Sequence, residues 1–240
     1  MKPTRAPWPT LTRKELTVFF NAPATYVIFV VFLVMTGWLF VSPLFLRDQS
    51  TLDTFLQPLP LILTFVIPAL TMRAFSEEFR AGTMEYLGTL PIQDYEIVLA
   101  KYLAAMGLFG ALLAFTLVYP LILMVVGQPD YGQMFGSYCA VIGLASFYAA
   151  IGLWASSMTR NQVVAFIIGF FTCFFFFLLG QIAELLPGFM TVLLRPFGVG
   201  PHFDSLARGV LDSRDLLYWA SGTAFFLLAS LASLNSRRWR

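Results

Sequence analysis

The stretch AFSEEFRAGTMEYLGTLPIQDYEIVLAK, residues 74–101, interrupts a chain that is otherwise strongly apolar. It holds five of the 13 carboxylates, Glu77, Glu78, Glu85, Asp94 and Glu96, together with Arg80 and Lys101, while the segments flanking it are almost uncharged. A charged island between two long apolar segments reads as a connector in water between two membrane spans. The rest of the chain fits that reading. Its 240 residues are 58% hydrophobic and 12% charged with a mean hydropathy of +0.77, outside the range of a soluble globule. A net charge of +2 is too small to suggest a nucleic-acid partner. Cys139 and Cys173 both fall in apolar segments at different depths, where a thiol behaves as a small hydrophobe and a disulfide between them is not expected.

Six segments are long enough to cross the hydrocarbon: 24–46, 56–73, 97–126, 134–156, 162–184 and 215–234. We therefore expect one all-α integral membrane domain over residues 1–240. The second span is interrupted by Pro58, Pro60 and Pro68, which can kink the helix or delay its start. The first is too long for a secretory signal and lacks a small-residue cleavage pattern, so it reads as a retained helix. With the amino terminus placed in the cytoplasm, 11 of the Lys and Arg residues fall on that side and only Arg47, Arg195, Arg208 and Arg214 on the other. That bias puts both termini and residues 74–101 in the cytoplasm.

Several segments carry a plain and a sharper reading. Residues 10–22, TLTRKELTVFFNA, form an amphipathic helix with Thr12 and Glu15 at capping-box spacing; Arg13, Lys14 and Glu15 mark either an interfacial anchor or a helix that pushes on a gate. Small residues recur at Ala100, Ala104, Gly107, Ala111 and Ala114 and at Ala145, Ala149, Gly152 and Ser156, spacings that suit close helix packing better than a substrate groove. The run FFTCFFFF, residues 170–177, surrounds its helix with rings, as lipid-facing filler or as a lining for acyl chains. Residues 185–214 are too long for a turn: 189–194 can dip into the outer leaflet, and HFDSLARGVL reads as an interfacial helix with Phe203, Leu206, Val210 and Leu211 on its apolar side. His202 reads as an ordinary exposed loop histidine, and Glu184 as an interfacial carboxylate.

The chain has no G-x-x-x-x-G-K-[ST] loop, H-E-x-x-H pair, Cys/His cluster or G-x-S-x-G elbow. No ionisable residue stands at a span centre, where ion and proton pathways place theirs; Thr64, Thr116 and Thr172 there can bond their own backbone. A membrane enzyme and a proton-coupled carrier both lose their residues, so energy must come from another chain. In the opening stretch, Gly82 can close the helix leaving span two, and Thr83 can cap a short new helix with Glu85 in its first turn. Met84, Leu87 and Leu90 share one side of it and Pro91 ends it.

The pattern E-x-x-x-G-T-x-E-x-L…P…E-I-V-L-x-K within residues 77–101 resembles the loop after the second span of ABC-2 type transporter permeases. RKELTVFFNAPATYVIFVVFLVMTG, residues 13–37, and HFDSLARGVLDSRDLLYW, residues 202–219, are similar to the gliding-motility-associated subgroup, apart from Ala22 where Ser is more usual. This resemblance implies a permease of the bacterial inner membrane that pairs with a second copy or a related permease and sits on two ATP-binding cassette ATPases. ATP and Mg would be bound by that partner, and this chain would hold no cofactor or metal and catalyse nothing. Thr83 to Thr89 would be the coupling helix, with Glu77, Glu78 and Arg80 as a polar collar and Met84, Glu85, Tyr86, Leu87 and Leu90 inserted into the ATPase. Export would be the expected direction. The subgroup also implies a second role, passing ATP-driven motion to an extracytoplasmic protein, which His202, Phe203, Asp204, Arg208 and Asp212 would contact.

Overall fold

The computed structural model describes residues 8–47, 56–84, 93–126, 130–185, 188–210 and 212–238, and all regular structure among them is helical. Six helices among the described residues are long and apolar enough to cross a membrane: Pro23–Ser42, Leu59–Ala81, Asp94–Val125, Tyr131–Met158, Gln162–Ala183 and Ser213–Ser236. They agree closely with the expected spans, except that the second ends at Ala81 rather than near residue 73. The chain is a multi-pass membrane protein.

Helix α1 (Trp8–Asn21) meets α2 (Pro23–Arg47) across the single residue Ala22. Pro23 suits the first position of a helix, where its missing N–H is not needed. The corner is fixed by Thr25, whose buried hydroxyl donates to the Phe19 carbonyl at 2.7 Å. The second span is two helices, α3 (Leu59–Thr71) and α4 (Arg73–Ala81), hinged at Met72. Pro68 does not stop α3; the break in the helical bonding comes one turn later, after Met72, whose own backbone stays helical. There the Ser156 hydroxyl of a neighbouring span accepts from the Phe75 and Ser76 N–H groups at 3.0 and 3.1 Å and donates to the Met72 carbonyl at 2.9 Å. A hinge in a membrane needs such a partner, because no water is present to satisfy the freed backbone groups.

The third span joins α5 (Asp94–Thr116) to α6 (Val118–Val126). Pro120 cannot donate to the Thr116 carbonyl one turn earlier. The Tyr138 hydroxyl takes that place, donating to Thr116 O at 2.9 Å.

Helix α7 (Tyr131–Met158) is the axle of the bundle, capped by Asp130, whose Oδ1 accepts from Gly132 N and Gln133 N at 2.8 and 3.3 Å. Its small residues work as packing faces: Ala145 and Ala149 are buried, and a methyl group on Gly152 would lie 2.0 Å from Thr71 Oγ1. In a bilayer such backbone proximity, more than burial of apolar surface from water, holds helices together. Around α7 stand α3, α8 (Gln162–Leu185) and α11 (Ser213–Arg238). Between α8 and α11 the chain forms α9 (Phe189–Leu194), a 3-10 turn (Arg195–Phe197) and α10 (Val199–Ala207), which together close one end of the bundle.

The segment expected to be an interfacial helix turns two of its apolar residues to the bundle and leaves a third, Val210, exposed. Phe203 is 1% exposed and Leu206 fully buried, so α10 packs into the bundle instead of lying on it. Glycines make this possible: a methyl on Gly136 would meet Leu206 O at 2.4 Å, and one on Gly198 would meet Gly180 Cα at 2.4 Å. With its backbone so close to α7 and α8, the apolar side of α10 finds side chains where headgroups were expected.

Candidate functional site

The end of the bundle opposite that cap is held by charge. Lys101, eight residues into α5 counting Asp94 as the first, is 1% exposed, and its Nζ donates to Glu15 Oε2 at 2.8 Å and to Glu78 Oε1 at 2.7 Å. Its ammonium also stands 5.3 Å from the centre of the Phe75 ring. Three elements far apart in sequence thus share one cation: α1 through Glu15, α4 through Glu78 and α5 through Lys101.

Local structure sets each member. Asp94 and Glu96 occupy the first turn of α5, where the helix dipole favours anions, and Glu96 Oε2 accepts from the Gln93 N–H at 3.1 Å. One turn further in, Lys101 lies beside the buried Ala100 and Ala104, so its side chain enters the interior rather than water. Helix α1 lies along this same face of α5, with a Leu16 methyl 3.4 Å from where a Gly107 Cβ would be. Glu78 sits in α4, past the Met72 hinge and before Gly82, whose φ of 70° and N–H to the Glu78 carbonyl end the helix as the sequence suggests.

The triad is short of positive charge. With both carboxylates ionised it carries one net negative charge, and Glu78 Oε2 is buried without a hydrogen-bond partner among the described residues. Separating any member would strand a charge in a poor solvent, so the three elements are bound to move together. What the arrangement does physically is bind α1, α4 and α5 to one another through one buried cation.

The expected site residues divide accordingly. Glu15 and Glu78 come together, while Arg13, Lys14, Glu77 and Arg80 face outward and exposed. The capping-box reading of Glu15 is corrected: α1 starts at Trp8, Thr12 is already inside it, and the Glu15 carboxylate serves Lys101. Thr83 turns its hydroxyl back to Glu78 O at 3.5 Å, and Met84 is half-buried against the core. Glu85, Tyr86, Leu87 and Leu90 lie outside the described residues. Lys101, counted from sequence as one more loop charge, is the member that sequence reasoning missed; a lone lysine between Ala100 and Ala104 on an apolar helix was the available signal.

At the capped end, the reading of His202 as an exposed loop residue is overturned. Its Nδ1 lies 2.6 Å from Asp215 Oδ1, its Nε2 lies 3.1 Å from the Pro196 carbonyl, and its ring stacks on Tyr218 at 4.1 Å. Asp215 is 5% exposed at the start of α11 and requires a partner, which the sequence left unnamed. Of the other expected contact residues, Phe203 is buried and offers no outer surface, Asp204 and Arg208 are exposed, and Asp212 Oδ1 accepts from Arg214 N at 2.9 Å as the cap of α11. A third feature is an apolar groove of about 830 Å³ where α6 splays from α7, lined among others by Phe109, Leu113, Met124, Phe135 and Tyr138.

Comparison with known families matches residues 32–197 to the ABC-2 family transporter protein model. No curated protein matches the chain. The match covers more than half of the sequence, and the chain belongs to the ABC-2 transporter family, as a membrane-embedded permease component.

Proposed function

We propose that this chain is the permease subunit of an ABC-2 type transporter, driven by a separate pair of ATP-binding cassette ATPases that bind ATP and Mg. Residues 83–89, of which 85–89 lie outside the described residues, are the segment that couples to the ATPase, and the charged end of the bundle faces the cytoplasm of a bacterium, with both termini. The permease works beside a second copy or a related chain and exports its substrate from the inner membrane. One observation carries the reading: Lys101 grips Glu15 and Glu78 together inside the protein. A push on the residues after Gly82 moves α4, and through Lys101 it moves α5 and α1 with it. Ser156 of α7 bonds the Met72 carbonyl and the Phe75 and Ser76 N–H groups, so the start of α4 stays anchored to α7 while its far end, which carries Glu78, takes up the motion.

Reconstitution with the partner ATPase tests this. Glu85→Arg and Leu87→Asp should abolish both ATPase binding and permease-stimulated ATP hydrolysis, with membrane insertion unchanged. The triple variant E15Q/K101M/E78Q should keep the ATPase bound and lose the stimulation. Undiminished stimulation in both would contradict the proposal.

A second reading, transmission of motion to an extracytoplasmic protein as the gliding-motility resemblance implies, is favoured by the closed, glycine-packed cap and its exposed Asp204 and Arg208. Asp204→Ala with Arg208→Ala should then break function without altering the movement of any solute. Altered solute movement would return the cap to the transport path.

A further inference from the structure

The charged end holds a second polar feature that the triad does not use. A pocket of about 370 Å³ lies between the end of α4 and the turn joining α7 to α8, lined by Arg80, Thr159, Arg160, Asn161, Gln162 and Val163. Two guanidinium groups from different elements border it, and among the described residues no carboxylate does. Neither arginine forms an ion pair with any described residue. The pocket floor is the start of α8, where Asn161 Oδ1 caps Val163 N at 2.9 Å and Thr159 Oγ1 accepts from Asn161 N at 3.1 Å. Remaining first-turn N–H groups and the dipole add to the positive potential. Two arginines with no ion-pair partner among the described residues, set around a cavity, are suited to an anion with several acceptor oxygens.

What lies next to the pocket selects the kind of anion. Val163, which lines it, is 62% exposed, and Ile167, Phe171 and Phe175 follow at four-residue steps with 45%, 62% and 56% exposure. At 1.5 Å per residue this stripe is roughly 18 Å long, about the depth of one leaflet. A cationic pocket leading straight into an apolar track is amphipathic in the same sense as a phospholipid.

We propose that Arg80, Arg160 and the start of α8 bind the phosphodiester headgroup of an anionic phospholipid, with an acyl chain along Val163, Ile167, Phe171 and Phe175. The lipid ties α4, whose other face holds Glu78, to the α7–α8 turn. This assignment needs only that the chain sits in a bilayer, and it stands or falls separately from the coupling scheme.

The full-length chain, delipidated in detergent, is incubated with equal amounts of phosphatidylglycerol and phosphatidylcholine, re-isolated by gel filtration and analysed for retained lipid. Wild type should retain about tenfold more phosphatidylglycerol: both lipids offer the phosphodiester, but phosphatidylcholine also carries a trimethylammonium group that two arginines repel, and about 1.4 kcal/mol of that repulsion supplies the ratio. The preference should vanish in R80Q/R160Q and persist in part in R160K; both changes are at exposed positions, and unchanged elution shows that they fold. Equal retention by wild type and R80Q/R160Q overturns the proposal. If glycerol 3-phosphate displaces the retained lipid at equal concentration, the tail track contributes nothing and the site is for a free phosphate. If R160Q keeps its lipid but no longer retains the partner ATPase, the pocket accepts an acidic side chain and the lipid assignment fails.

Discussion

The two ends of the bundle are held together by different physics. At the capped end α10 approaches α7 and α8 through glycine contacts, and aromatic rings fill what remains: His202 on Tyr218 at 4.1 Å, with Trp219 buried beside Phe147. At the charged end α1, α4 and α5 meet at one ammonium group with a surplus carboxylate oxygen. Many short-range contacts make a rigid lid, whereas at the charged end α1 and α5 pack along each other and the shared cation is what ties α4 to that pair. The first suits a static cover and the second a lever.

The sharpest way to break this contrast is Lys101→Met, which leaves Glu15 and Glu78 buried without a counter-charge. It should cost about 3–5 kcal/mol, read as a lowered unfolding midpoint in detergent. The triple variant E15Q/K101M/E78Q should recover most of that stability, since neutral groups of similar size do not repel. If Lys101→Met costs no more than a surface change, the joint is not what holds this end.

Gly136→Ala attacks the other end by placing a methyl against the Leu206 carbonyl; it should cost up to about 3 kcal/mol by the same measurement. It should leave ATPase stimulation unchanged, whereas the triad variant loses it. Smaller still, Ser156→Ala removes the acceptor of two buried N–H groups at the Met72 hinge and should cost about 2 kcal/mol, with faster amide exchange at Phe75 and Ser76. Smallest is Tyr218→Phe, which deletes only the bond to the Phe197 carbonyl and keeps the ring on His202; about 1 kcal/mol is expected.

Fold and site were not equally legible in sequence. The spans could be read because hydrocarbon imposes a length on any helix that crosses it, and Gly82 because a left-handed residue ends a helix almost wherever it stands. The small-residue spacing at Ala145, Ala149 and Gly152 likewise announced a packed face. Lys101 was visible as a residue but its partners were not: Glu15 lies 86 positions away, and no local pattern links them. His202 and Asp215, 13 positions apart, were separated by a connection that looked like surface. Phe203 was misplaced because helical spacing gives the direction of an apolar face without saying whether lipid or protein will cover it. Glycines at 136, 180 and 198 decided that, and their effect depends on what stands opposite.

The central claim is that force entering α4 reaches α1 through Lys101. Spin labels at Thr17 on α1 and Ser236 on α11, both exposed, report their separation by electron paramagnetic resonance in the complex with the ATPase, with and without bound ATP. The account predicts that ATP shifts this distance in the wild type and leaves it unchanged in E15Q/K101M/E78Q with the ATPase still attached. The same shift in both proteins would contradict it.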